Sequence, residues 1–302
     1  MTGPASRPGG GSAPFGVRLA DAVAARGPLC VGIDPHPPLL TAWGLGDDPD
    51  GLARFTDAVV DALAGTVAVL KPQLAFYERH GSRGLAVLED GVARARGAGA
   101  LVLLDAKRGD IGSTMDAYDE NLRPDHPLAA DAMTVSPFLG PGSLQPAVDT
   151  ARSCGGGLFV LARTSNPDAG TLQHALVGDR SVAQVVVDTV RGWNTPGWVV
   201  GDPLPEAASV RDPGTGFGLT TGSFGVVVGA TLGELDVDLD GLGGPILAPG
   251  LGAQGGSVDD LRRLFGSGRA VLPTVSRDVL AAGPAPQALR AAADRWTAEL
   301  TT

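Results

Sequence analysis

Short runs rich in Val, Ile and Leu alternate with longer Ala-rich stretches along nearly the whole chain, and this alternation restricts the fold more than any single motif. The apolar runs fall at 29–33, 67–71, 101–107, 132–135, 158–162, 224–229, 246–248 and 270–273. Their length and near-continuous hydrophobicity fit strands buried on both faces. Between them the spacing of apolar residues predicts helices at 52–63, 83–96, 143–153, 181–193, 258–265 and 286–300, with weaker patterns at 114–122 and just after Gly229. Strand-then-helix alternation implies parallel pairing with crossover helices. Eight strands in 302 residues favour a closed (β/α)8 TIM barrel, an α/β fold, over an open doubly wound sheet.

Residues 1–14 are rich in Gly, Pro and Ser and lack the apolar core of a signal peptide, so they read as a disordered N-terminal tail ahead of a single barrel domain at 15–302. Residues 194–223, rich in Gly and Pro, read as a long loop before strand six, within which 198–200 is a candidate strand.

Composition narrows the partners. The net charge of −10 argues against a general nucleic-acid or anionic-membrane surface, so an anionic substrate needs a locally basic pocket. No apolar run is long enough to span a bilayer, and two cysteines, Cys30 and Cys154, fit no metal spacing. They read as buried thiols of a cytoplasmic protein. The four histidines form no ligand cluster, so no metal is expected. Of 23 basic residues only Lys71 and Lys107 are lysines. Either this is chance in an Arg-rich chain, or these two do what a guanidinium does poorly, such as donating a proton.

In a barrel, chemistry belongs at the C-terminal ends of the strands. Strand one ends at Asp34, strand two at Lys71, and strand three runs into Asp105-Ala106-Lys107-Arg108-Gly109-Asp110. Period-two alternation puts Leu101, Leu103, Asp105 and Lys107 on one face. An isolated Asp-x-Lys is equally a structural ion pair. Beside carboxylates, however, a lysine stays protonated, which suits a general acid and not a Schiff-base amine.

After strand seven comes Pro249-Gly-Leu-Gly-Ala-Gln254-Gly-Gly, and after strand eight Ser276-Arg277. The Gly-rich loop is either a plain turn or, with Gln254 and Arg277, a phosphate cup of the kind barrels build there. Ser165, after strand five, can bond a planar heterocycle or simply serve a cap or turn. The apolar loop after strand four carries no assigned chemistry.

Taken together, Asp34, Lys71, the Asp105–Asp110 motif, Thr-Ser165-Asn-Pro, the Gln254 loop and Ser276-Arg277 resemble the orotidine 5′-monophosphate decarboxylases, over roughly residues 28 to 280, and are most similar to the family's longer bacterial branch. The resemblance implies cofactor-free decarboxylation of a small nucleotide substrate to UMP. It implies that Lys107 protonates C6 of the pyrimidine, with Asp105 near the leaving carboxylate and Asp34 and Lys71 at the ribose. Ser165 would bond the base, and Gln254 and Arg277 the phosphate, with Pro249 and Ser276 completing the contacts. It further implies a homodimer with shared active sites, Asp110 and Thr114 entering from the partner. Two other readings remain: a Mg²⁺-dependent phosphosugar decarboxylase or aldolase-type barrel, whose acidic residues ligate the metal, and a catalytically inactive nucleotide-binding barrel.

Overall fold

A computed structural model describes residues 13–202 and 222–302. Most of the expected N-terminal tail, and residues 203–221 of the expected long loop, therefore lie outside the described residues. Eight parallel strands close into a barrel: β1 (Cys30–Ile33), β2 (Val69–Pro72), β3 (Leu101–Arg108), β4 (Ala132–Val135), β5 (Gly157–Arg163), β6 (Phe224–Val228), β7 (Ile246–Pro249) and β8 (Val271–Val275). They follow one another round the barrel in chain order, with β8 pairing back onto β1. Each lies within two residues of its expected position. A two-stranded antiparallel ribbon, Leu176–Val177 with Arg180–Ser181, decorates the connection after β5.

The period of two sorts each strand into an inner and an outer set. Cys30, Val69, Leu101, Leu103, Ala132, Phe159, Val227, Leu247 and Leu272 fill the barrel interior. Val31, Leu70, Val102, Leu104, Met133, Val160 and Val226 face outward into the layer between strands and helices. One rung above the inner apolar residues, the same alternation brings Lys71, Asp105 and Thr134 to the C-terminal mouth, all nearly buried. The site is the top layer of the core, with polar side chains in place of aliphatic ones.

Six helices match their expected spans closely, including Pro49–Leu63, Gly81–Gly97, Val182–Trp193 and Pro286–Thr301. The weak pattern at 114–122 becomes the helix Gly112–Asp119 followed by a 3-10 turn, Glu120–Leu122. Among the described residues no helix is long and apolar enough to cross a membrane.

Three expectations need correction. The helix Phe15–Arg26 was not anticipated, because β/α alternation has no slot ahead of β1. It closes the floor of the barrel: Phe15 is fully buried edge-to-face on Phe159, and Arg18 pairs with buried Asp131. No helix follows β6. The connection is irregular, and its main-chain groups bond to side chains of the helix Val182–Trp193: Arg191 donates to the carbonyls of Asp240 at 2.9 Å and Asp238 at 3.0 Å, and Gln184 accepts from the Asp238 amide at 2.6 Å. Those bonds give this segment's main-chain groups the partners that a helix would supply internally. Residues 198–200 are a turn region and not a strand.

Candidate active site

Three charges form the centre. Asp105 accepts from Lys71 Nζ at 2.7 Å through Oδ2 and from Lys107 Nζ at 2.5 Å through Oδ1. Lys71 and Asp105 are buried, whereas the Lys107 side chain is 43% exposed at the barrel mouth. Burial alone would strip the charge from both Lys71 and Asp105. For Lys71 that cost is outweighed by the carboxylates of Asp105 and then Asp34, which hold its ammonium above the ordinary lysine value. For Asp105 the opposing ammonium groups of Lys71 and Lys107 hold the carboxyl well below the usual carboxylate range. Lys71 and Asp105 therefore face each other as a charged pair at neutral pH.

The backbone that presents Lys107 is unusual. Lys107 is the one non-glycine residue with positive φ, 51°, among the described residues. Such a conformation costs about 1–3 kcal/mol for a side-chain-bearing residue and persists only where its surroundings hold it. The β3–β4 register slips here: Leu104 pairs with Met133 and Arg108 with Val135, so Asp105, Ala106 and Lys107 together oppose Thr134. This bulge turns the Lys107 ammonium back onto the Asp105 carboxylate.

Sequence reasoning missed two members of this cluster. Thr134 donates from Oγ1 to Asp105 Oδ1 at 2.8 Å and accepts from the Lys107 main-chain N–H at 3.0 Å. Gln73, in the amide orientation that satisfies both neighbours, donates to the Asp105 carbonyl at 2.5 Å and accepts from Lys107 Nζ at 3.2 Å. The signal for Thr134 was present: it stands two residues beyond the inward Ala132, on the same face.

Asp34 follows β1, and its Oδ1 is buried without a hydrogen-bond partner. Ser276, following β8, likewise has a buried, unpartnered Oγ. The two flank Gly32, where a methyl group would stand 2.9 Å from Ser276 Cβ and 3.1 Å from Asp34 Oδ2. Only glycine lets these ends approach so closely. Standing together at the barrel mouth, both atoms are available to a polar ligand.

Pro249 ends β7 and leads into the loop at 250–256. That loop is tightly wound: Gly256 donates to the Gly250 carbonyl at 3.0 Å, and Gly250, at φ 115°, adopts a conformation that favours glycine. Asp278 ties it to the next strand's end by accepting from the Ala253 amide at 3.0 Å. Asp278 sits in the short helix Arg277–Leu280, so Gln254 and exposed Arg277 are held on adjoining loops. Arg277 has no ion-pair partner among the described residues.

Ser165 lies two residues past β5, its Cβ against Gly229 at the end of β6. It caps no helix, because the next one begins at Ala169 behind Asp168. Two further predicted residues lie beyond β3 and make no bond to the central charges. Asp110 accepts only from its neighbour's amide, Ile111 N–H, at 2.8 Å, and Thr114 is exposed on the helix Gly112–Asp119.

This geometry can be set beside known proteins. Residues 27–292 match the orotidine 5′-phosphate decarboxylase / HUMPS family. The chain belongs to that family. An orotidine 5′-phosphate decarboxylase of Streptomyces coelicolor is 56% identical over 292 residues, covering 96% of this chain and 98% of that one. One from a Nocardioides species is 57% identical over 268 residues, covering 88% and 92%. A solved protein from Streptomyces avermitilis superposes with a TM-score of 0.86 at 53% identity over 98% of each chain. The Leishmania donovani OMP decarboxylase superposes with a TM-score of 0.68 at 29% identity, covering 95% and 97%. Family membership agrees with the expectation drawn from the motifs, and the closed barrel agrees with the fold expected from the alternation.

Proposed function

We propose that this enzyme, a carboxy-lyase, converts orotidine 5′-monophosphate to UMP and carbon dioxide in de novo pyrimidine biosynthesis. The observation that carries the proposal is the Lys71–Asp105–Lys107 array at the barrel mouth, in a chain more than half identical to decarboxylases along almost its whole length. In the reaction the bond from C6 to the carboxylate breaks, carbon dioxide leaves, and the electron pair stays on C6. A proton then passes from Lys107 Nζ to C6, and solvent reprotonates the amine.

Lys107 suits this step because its ammonium is fixed beside the reacting carbon before charge develops, so no reorganisation is required in the transition state. Asp105 keeps Lys71 cationic, bonds the Lys107 ammonium and faces the departing carboxylate. Asp34 and Lys71 hold the ribose. Ser165 and Pro249 contact the base, and Gln254, Arg277 and Ser276 contact the phosphate end. Binding the phosphate far from the bond that breaks contributes to rate by positioning the base.

Asp110 and Thr114 serve the neighbouring site in a homodimer. The support is a group of exposed apolar residues on the two adjoining loops beside them. Ile111, Phe138 and Leu139 are 61%, 73% and 53% exposed, and the Arg108 carbonyl accepts from the Ser136 amide at 2.7 Å, holding the loops after β3 and β4 together. Exposed apolar residues gathered at one place mark an interaction surface. The compartment proposed is the cytoplasm.

The Mg²⁺-dependent alternative is disfavoured by the state of Asp105, whose two oxygens already accept from two ammonium groups; a hard cation would have to displace them. Turnover of orotidine 5′-monophosphate by the purified protein, with and without EDTA, tests the proposal. Undiminished conversion to UMP in EDTA is expected; no conversion, or full loss on chelation, overturns it.

A further inference from the structure

A closed ring of hydrogen bonds begins and ends on Lys107. Its main-chain N–H donates to Thr134 Oγ1 at 3.0 Å, the Thr134 hydroxyl donates to Asp105 Oδ1 at 2.8 Å, and the same Oδ1 accepts from Lys107 Nζ at 2.5 Å. Thr134 is 1% exposed and is the residue of β4 that stands opposite the three-residue bulge 105–107. In a regular parallel ladder the Lys107 amide would find a carbonyl on β4. The bulge removes that partner, and the hydroxyl takes its place.

We propose that Thr134 is a positioning residue for the decarboxylation, holding the left-handed backbone of Lys107 and the orientation of the Asp105 carboxylate at once. This rests on Lys107 being the proton donor, as proposed above. A hydroxyl is needed because the position requires an acceptor toward an N–H and a donor toward a carboxylate oxygen, and one threonine Oγ1 supplies both. An aliphatic side chain of the same shape supplies neither. It would leave the part-buried Lys107 N–H without its partner and Lys107 free to relax from φ 51°. The ammonium would then move relative to C6, whereas the phosphate contacts at the far side of the barrel would not change.

The test compares Thr134→Val, Thr134→Ser and Lys107→Ala in the full chain, measuring kcat for orotidine 5′-monophosphate and the dissociation constant of UMP. Thr134→Val is expected to lower kcat about tenfold to hundredfold, the scale on which a small misplacement of a reacting group acts. Its UMP dissociation constant should stay within about threefold, since ligand contacts remote from the reacting carbon are kept. Thr134→Ser, which keeps donor and acceptor, should return kcat to within about threefold of wild type.

Wild-type kcat in Thr134→Val overturns the proposal. So does an equal fall of kcat and UMP affinity in both Thr134 variants, which marks general core packing. If the valine protein does not fold, Thr134→Ala against Thr134→Ser decides, and equal kcat in those two overturns it. Lys107→Ala separates the two layers of argument: should it stay active, Lys107 is not the donor and the underlying reading fails on its own.

Discussion

Lys71 and Asp105 meet at 2.7 Å across the ends of adjacent strands β2 and β3, both nearly buried in the top layer of the barrel core. Each supplies the charge that makes the other's burial tolerable. Removing one partner of a buried pair leaves an uncompensated charge, at a cost of about 3–5 kcal/mol. Asp105→Asn is therefore expected to lower unfolding free energy at neutral pH by about 3 kcal/mol, read from denaturant melts. Unchanged stability would contradict the mutual dependence.

The pH dependence of that stability follows from the two directions of shift. Asp105 is held below its unfolded value, so its contribution is present above pH ~4 and is lost as pH falls through the folded value. Lys71 is held above its unfolded value, so its contribution is complete below pH ~10.4 and is lost as pH rises further. The wild type should lose stability at both extremes through this pair. Asp105→Asn should show a lower plateau with shallower slopes at both ends. Parallel profiles for the two proteins would place the pH sensitivity elsewhere.

Much of this was readable in the residues. Alternation of strands and helices locates all eight strands, and the period of two along 101–107 places Asp105 at the mouth. The spacing of Thr134 from Ala132 marks its inward face, but its bonding role comes from a bulge in β3, and a slip in pairing between strands leaves no mark in the sequence of β4. The floor helix was legible in Phe15, Leu19 and Ala22, spaced four and three apart, but it lies outside the β/α repeat that organised the reading. The absent helix after β6 had the opposite cause. Leu235, Val237 and Leu239 alternate with period two, and Arg191 and Gln184, distant in sequence, satisfy that backbone.

Replacing Lys107 by Arg keeps the positive charge beside Asp105 but supplies a very poor proton donor. The Lys107→Arg protein should fold with a melting temperature near wild type while kcat falls by about 10²–10⁴-fold, the contribution of general acid catalysis. Turnover near the wild-type level would remove Lys107 from the donor role.

Arg277 opens the short helix beside the Gln254 loop, exposed and without an ion-pair partner among the described residues, so in a chain of net charge −10 it is a cation available to a phosphate there. Charge-assisted hydrogen bonds of this type contribute about 1.5–3 kcal/mol. Arg277→Ala should weaken UMP binding by about tenfold to hundredfold and leave uridine binding within about twofold, by calorimetry. Equal losses for both ligands would place the phosphate elsewhere.

Asp110 and Thr114 lie beyond the strand that carries Asp105 and Lys107, and Asp110 makes no bond to any charge of the central array. A two-fold interface built on the adjoining exposed apolar residues would exchange this segment reciprocally and complete each site with the partner's Asp110. Subunits of Lys107→Ala and Asp110→Ala, each nearly inactive alone, can then complement each other. Random pairing makes about half of the dimers mixed, and each mixed dimer contains one site with both residues intact. Activity should recover to roughly a quarter of wild type by that count. If Asp110 serves its own subunit, every site in every pairing lacks one residue. Subunit exchange verified by native mass spectrometry, with no recovery of activity, would refute the shared site.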